Sequence, residues 1–297
     1  MKIEDFLAEV EKLKLHKQKR IGASLKKPLF LLLLISLIQR EKATGNKFLF
    51  HEIEYELDIL IKLFGGRKPP SRPEYPFNYL ASSMIWEVKS PYGIGVIPDD
   101  KLSKKVLRDV ETYGYFNEEV YDLLYANENN RAVASTFILS KFWPETVQSD
   151  IKNVLGLPDG IIPGFEQYNK KKRDPLFTTE VLANYRNCCA VCGFSSVFNE
   201  VPFGVDAAHI MWHAYEGPDK KENGLALCKL HHWALDRGVY TFMPKTMEIK
   251  VSSQFSAADD NSILLLKNLA GEKLKPARDN EPGTEYIEWH HENVFVK

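Results

Sequence analysis

The sequence is short of net charge, of cysteine and of long apolar runs, and each shortage excludes something. Its 39 Lys and Arg stand against 40 Asp and Glu, a formal net charge of -1 at pH 7. The chain is therefore not uniformly basic, yet binding nucleic acid needs only a local basic face. Segments rich in Lys and Arg occur at 12–27, 101–108 and 170–173, and each also reads as a solvated helix face. The strongest apolar run, 28–38, falls short of the ~20 residues that span a bilayer and reads as a buried core helix. The first 20 residues are charged and amphipathic with no apolar centre, so they do not read as a secretion signal and none is expected. The chain is expected in the cytoplasm, with no membrane partner. Its four cysteines, Cys188, Cys189, Cys192 and Cys228, all lie in the C-terminal part. Without a secretion signal, a metal site is a better reading of them than a disulfide framework. There is no internal repeat and no low-complexity tract.

What is present is an ordinary globular composition, 44% hydrophobic and 27% charged, over 297 residues, enough for two domains with separate cores. The first part reads mostly as helices. Phe6, Leu7, Val10 and Leu13 recur at helical spacing, and Pro28 opens a second helix. A third covers 52–64 and stops at Gly65-Gly66, before a Pro-rich loop at 69–77. Strands at 85–88 and 94–97 flank a Pro91-Tyr92-Gly93 turn, and helices continue to 155. Residues 161–175 read as a linker between domains at 1–160 and 176–297.

Cys189-x2-Cys192 followed by Gly193 is a knuckle that brings two thiolates to one metal ion. Cys228-x2-His231 can supply two more ligands, and four S/N donors in two close pairs fit a closed tetrahedral zinc site. Cys188 reads as a bystander, with a Cys188-x3-Cys192 pair as the open alternative.

Between and after these pairs come Ala208-His209-Ile210, Asn223-Gly224-Leu225, Cys228-x2-His231-His232 and Leu235-Asp236-Arg237-Gly238. Together they resemble the HNH endonuclease motif, and the match covers 177–297. The resemblance implies a zinc-stabilised ββα-metal nuclease domain that cleaves DNA with a second, divalent cation, Mg²⁺ or Mn²⁺. It implies His209 as general base, a role suited to an imidazole near pH 7. It implies His232 as ligand of the catalytic cation and Asn223 as a brace that orients His209. Many relatives carry Asp immediately before the first His, where this chain has Ala208. Asp206, three residues before His209, is the candidate second ligand, although strand alternation sets it off the face of His209. Asp236 is the alternative acidic neighbour. His213 reads as a surface or structural residue, and His290 and His291 as terminal surface groups.

In the first part, Lys26-Lys27-Pro28 with its Leu-rich continuation, Tyr75-Pro76-Phe77 and Ile85-Trp86 resemble the sulfur-binding domain of McrA-like restriction endonucleases. The match covers 1–155. It implies that phosphorothioated duplex DNA is the partner, that Tyr75, Pro76 and Tyr79 form the sulfur cup, and that Lys26 and Lys27 contact DNA beside it. Lys101, Lys104 and Lys105 are candidates for reading bases. Sulfur is larger and less strongly hydrated than oxygen. A dry cup accepts it, and penalises an oxygen stripped of water by roughly 1–3 kcal/mol.

The expected architecture is α+β: a mainly helical binding domain with a short β-hairpin, then the nuclease domain. The expected function is a restriction endonuclease of phosphorothioated double-stranded DNA, and cutting both strands implies a homodimer or sequential nicks. The alternatives are an HNH enzyme that reads a methylated or hydroxymethylated base, and a modified-DNA sensor that does not cut.

Overall fold

The computed structural model describes residues 1–15, 17–18, 22–41, 45–65, 71–158 and 175–297. The expected linker, apart from Pro175, and the basic segment 170–173 lie outside the described residues, as does part of 12–27. Among those described, no helix is long and apolar enough to cross a membrane. The chain packs as two units. One comprises Met1–Gln18, Ala23–Phe142 and Gln148–Tyr168. The other comprises Lys19–Gly22, Trp143–Val147 and Asn169–Lys297.

The first unit is built around a buried helix. After α1 (Ile3–Glu11) and the short strands β1 (Lys17–Gln18) and β2 (Gly22–Ala23) comes α2 (Lys26–Gln39). Pro28 lies in the first turn of α2, where its missing N–H costs no bond. Residues 28–38 are buried on every side of the helix, as an all-round apolar sequence requires. Then follow β3 (Phe48–Leu49), α3 (Phe50–Phe64) and α4 (Glu74–Tyr79). The expected loop at 69–77 is thus corrected: its second half is helical. Pro73 is the N-cap and Pro76 lies in the first turn, where backbone N–H groups have no intrahelical acceptor anyway.

The expected hairpin is present but belongs to a larger sheet. Strands β4 (Trp86–Ser90), β5 (Gly93–Ile94) and β6 (Tyr113–Phe116) join β3 in the order β3-β6-β4-β5, all antiparallel. The short helix α5 (Lys104–Leu107) lies between β5 and β6. The strand at 113–116, absent from the sequence-based expectation, pairs four residues of β4. The sheet and α2 enclose an aromatic core around Trp86. Phe30 lies 5.3 Å from it edge-on, and Phe48, Phe77 and Phe116 each lie 5.6 Å away. Gly114 passes beneath that ring, and a Cβ there would sit 1.9 Å from Trp86 Cζ2. Helices α6 (Glu118–Ala126) and α7 (Glu128–Phe142) and the part of α8 (Glu145–Leu155) from Gln148 onward complete the helical run, while the start of α8 belongs to the second unit.

The second unit is assembled from shorter pieces. Helix α9 (Pro175–Asn184) precedes the hairpin β7 (Ser196–Phe198) and β8 (Val201–Phe203). Strands β9 (Val205–His209) and β10 (Gly224–Cys228) pair antiparallel, with His209 opposite Gly224 and Asp206 opposite Leu227. Helix α10 (Lys229–Asp236) follows directly, capped by Cys228. Strands β11 (Tyr240–Phe242) and β12 (Ile249–Val251) pair next, before α11 (Asp260–Leu265) and α12 (Thr284–Asn293). Gly224 lets α9 approach closely, since a Cβ there would fall 2.3 Å from Val181 Cγ2. The core gathers Phe177, Val181, Ala208, Ile210, Leu225 and Leu227.

Candidate functional site

In the first unit, the start of α2 and the start of α4 bring the expected binding residues into one neighbourhood. Lys27 Nζ donates to the carbonyl of Lys14 at 2.9 Å and to Ser82 Oγ at 3.0 Å. Burial pushes the Lys26 and Lys27 ammonium groups below the ordinary lysine range. At Lys26, Glu74 opposes that shift and Arg72 adds to it, while Lys14 adds to it at Lys27. Tyr75 and Tyr79, four apart on one helix face, meet edge-on with centroids 5.8 Å apart. Pro76 is buried, while Tyr75 is 38% exposed.

Two neighbours that the sequence did not single out hold these rings. Arg72 Nη1 donates to the Tyr75 hydroxyl at 2.6 Å, and its guanidinium lies 5.1 Å over that ring. The Tyr79 hydroxyl donates to Asp99. Burial, reinforced by Asp99, pushes the Tyr79 phenol up to about 12, so it stays a neutral donor at pH 7. Buried Asn78 ties α4 to the loop carrying Asp99, exchanging bonds of 3.0 and 2.8 Å with the Ile97 backbone. The patch is thus aromatic, with a buried proline at its base and Lys26, Lys27 and Arg72 beside it. Lys104 is paired to Glu54 at 2.6 Å and Lys101 to Asp100 at 3.2 Å, while Lys105 is exposed.

In the second unit the four expected metal ligands converge. One donor atom from each of Cys189, Cys192, Cys228 and His231 lies within 4.8 Å of the others. Ligands of a tetrahedral zinc with bonds near 2.3 Å stand about 3.8 Å apart, so three sulfurs and one imidazole nitrogen fit such an ion. Gly193, at φ +78°, makes the knuckle turn, with its N–H on the Cys189 carbonyl at 2.8 Å. His231 Nε2 faces the Leu265 carbonyl at 2.9 Å, so Nε2 carries the proton and Nδ1 is left toward Cys228 Sγ at 3.1 Å. Hydrogen bonding between the two thiols, with His231 beside them, holds Cys189 below the ordinary thiol range and Cys228 correspondingly above it. Cys188 stays outside the cluster, with its thiol on the Arg186 carbonyl at 3.3 Å.

The expected catalytic residues form two carboxylate–imidazole centres rather than one. Asp206 and His209 lie an odd number of positions apart on β9 and point to opposite faces. His209 stacks flat on Phe177 of α9, centroids 4.0 Å apart and planes 12° from parallel. Its Nε2 faces Asp219 Oδ1 at 2.7 Å, and Asp219 Oδ2 lies 3.9 Å from His213 Nε2. His213, expected at the surface or in a structural role, therefore borders this centre.

His232, on α10, meets the other face. Its Nδ1 is 3.2 Å from Asp206 Oδ2 and its Nε2 is 3.4 Å from Asp236 Oδ2. Asp206 also accepts from Lys229 Nζ at 2.8 Å. The His232 hydrogen bond, then Lys229, hold the Asp206 carboxyl below the usual carboxylate range. Buried Asp236 accepts from Trp212 Nε1 at 3.1 Å and from Thr146, and burial pushes its carboxyl up. A carboxylate facing an imidazole nitrogen, as in Asp206 and His232, is a donor pair suited to a divalent cation. Among the described residues, no hydrogen bond or ring contact joins His209 to His232.

Asn223 is fully buried and acts on the backbone. Its side chain accepts from Met211 N at 2.8 Å and donates to the carbonyls of Met211 and Pro218 at 3.0 Å each. Its own carbonyl accepts from Ile210 N at 2.9 Å. It closes the loop after His209 instead of bonding the imidazole. Ala208, where an acidic residue was looked for, is 1% exposed in the core opposite Leu225, a place that disfavours a charge. His290 is buried, not a surface group: it lies 2.9 Å from Thr241 Oγ1 and 3.0 Å from the Leu235 carbonyl.

Comparison with known proteins adds two family matches. A model described as the ScoMcrA-like DNA sulfur-binding domain matches residues 3–160, and one described as HNH endonuclease matches 189–243. Among solved structures, the sulfur binding domain of SprMcrA complexed with phosphorothioated DNA is 22% identical with a TM-score of 0.45. It covers 53% of this chain and 95% of that one. The corresponding ScoMcrA domain complex is 17% identical with a TM-score of 0.42, covering 50% and 98%. A modification dependent TagI restriction endonuclease is 19% identical with a TM-score of 0.32, covering 39% and 36%. No curated protein matches the chain.

Proposed function

We propose a function from the premise that this chain belongs to the ScoMcrA-like DNA sulfur-binding domain family and carries an HNH endonuclease domain behind that module. The protein is a restriction endonuclease that binds phosphorothioated double-stranded DNA through residues 1–160 and hydrolyses a nearby phosphodiester through residues 176–297. The observation that carries the binding half is the clustering of Lys26, Lys27 and Arg72 around Tyr75, Pro76 and Tyr79. Cations at the rim attract the backbone whatever its sequence. The buried proline and the ring faces offer no hydrogen bonds to replace those that a phosphate oxygen makes with water, the Tyr79 hydroxyl being engaged by Asp99, and so favour the weakly hydrated sulfur.

In the cleaving half, Cys189, Cys192, Cys228 and His231 would hold a structural zinc, and His232 with Asp206 a Mg²⁺ or Mn²⁺ ion. That divalent ion supplies charge neutralisation at the scissile phosphate and the departing oxygen. His209 takes a proton from the attacking water, and Asn223 keeps the following loop closed. Cutting both strands takes two copies of the chain or two successive nicks.

The test uses two duplexes that differ by one sulfur atom, with wild type and His209→Ala in Mn²⁺. Wild type is expected to bind and cut only the sulfur-containing duplex. His209→Ala is expected to bind it equally well and leave it intact. Cutting only of methylated DNA would replace the sulfur reading with a base-modification reader, and binding without cutting by wild type would remove the enzyme claim.

A further inference from the structure

Resting on the role of His209 as base, we propose that Asp219 is the positioning residue of the reaction, the group that sets which nitrogen of His209 takes the proton. The flat stack on Phe177 fixes the plane of the imidazole. A stack alone does not choose between two orientations related by a half-turn of the ring, because both keep the same plane. The 2.7 Å contact from Nε2 to Asp219 Oδ1 makes that choice. An ionised carboxylate only accepts, so Nε2 carries the proton and the lone pair is on Nδ1.

The carboxylate is itself held in place. Asp219 follows Pro218, whose carbonyl accepts from buried Asn223 at 3.0 Å. Its side chain is 15% exposed, that of His209 is 10% exposed, and its second oxygen faces His213 at 3.9 Å. Asn223 thereby reaches His209 through Asp219 and the loop, which accounts for an asparagine whose side chain bonds only backbone atoms.

In the step so arranged, an O–H bond of water breaks and the proton passes to Nδ1. The hydroxide oxygen bonds to phosphorus, the bond from phosphorus to the 3′ oxygen breaks with its electron pair leaving on that oxygen, and solvent protonates it. His209 becomes an imidazolium with Asp219 against its Nε2–H. A carboxylate there stabilises the positive ring and holds the productive tautomer.

The experiment uses the full-length protein, single-turnover cleavage of the sulfur-containing duplex in Mn²⁺, and imidazole ¹⁵N NMR. Neutral His209 in wild type is expected as the Nε2–H tautomer. Asp219→Asn, nearly the same size, is expected to lose that uniform tautomer and to slow cleavage about 10²- to 10⁴-fold. Its affinity for the modified duplex should stay within about twofold, and Asp219→Glu should restore part of the rate by returning the carboxylate. An Nδ1–H tautomer in wild type overturns the proposal even if no variant folds. So does a rate for Asp219→Asn within about threefold of wild type, or a loss of rate matched by an equal loss of zinc or duplex binding. Failure of wild type to cleave would overturn the nuclease reading and with it the role of Asp219 in the reaction, whereas an Nδ1–H tautomer in a wild type that cleaves overturns the role of Asp219 alone.

Discussion

The two units hold their candidate sites by different means. In the first, α4 leans on an aromatic core that surrounds Trp86 with four phenylalanines, and the site residues project from a short helix seated on it. In the second, among the described residues, the strands come in pairs, β7–β8, β9–β10 and β11–β12. Two-stranded hairpins are marginal by themselves, and here a Cys₃His cluster sits at the joint of the β9–β10 hairpin and α10. A large apolar core can present a rigid recognition patch without further support, whereas a small assembly that must orient titratable groups gains most from an ion, which the Cys₃His cluster could hold.

Removing that tie should give the largest effect. Cys228→Ser, or chelation, is expected to abolish cleavage and the second unit's thermal transition while the first unit still binds modified DNA. Structural zinc contributes about 10–16 kcal/mol in small zinc-dependent domains. Calorimetry with a gel-shift assay reads both, and cleavage surviving in a zinc-free protein would end the contrast between the units. Next come the two histidine centres. His232→Ala and His209→Ala should each lower the cleavage rate by about 10³-fold or more, but only His232→Ala should lose Mn²⁺ binding in a calorimetric titration. Loss in both variants would merge the centres into one.

The aromatic support is tested by Gly114→Ala, whose Cβ would lie 1.9 Å from Trp86 Cζ2. It should destabilise the first unit by about 1–3 kcal/mol, leaving the second unit's transition and its metal content unchanged. Pro76→Ala or Tyr75→Ala should reduce the preference for sulfur over oxygen by roughly tenfold, equivalent to about 1.4 kcal/mol, with little change in stability. The smallest effect is on pH. Because burial lowers the folded-state values of Lys26 and Lys27, their charge is present at neutral pH and lost as pH rises through those lowered values. Duplex affinity should therefore start to weaken below the ordinary lysine range near 10.5, and a fluorescence-anisotropy titration against pH reads it.

What sequence alone determined was whatever depends on neighbours along the chain. The apolar run at 28–38 could only be a buried helix, and it is. Two Cys/His pairs, each with two residues between its ligands, predicted a four-ligand cluster, because that spacing puts both donors of a pair on one turn. Local reading failed at α4, where Pro73 and Pro76 suggested a loop. Proline is tolerated at a helix start because the N–H it lacks would have had no acceptor there. It also failed at β6, whose four residues are a strand because β3 and β4 flank them. Tertiary structure alone supplied the acid for His209, and it seated Asp206, already the candidate second ligand, against His232. Asp206 belongs with His232 because β9 turns alternate side chains to opposite faces and α10 covers one of them. Asp219 belongs with His209 because Asn223 folds the intervening loop back across the strand end. Hydrogen bonds between side chains depend on distance in space, and ten or twenty-six residues of sequence separation carry no trace of it.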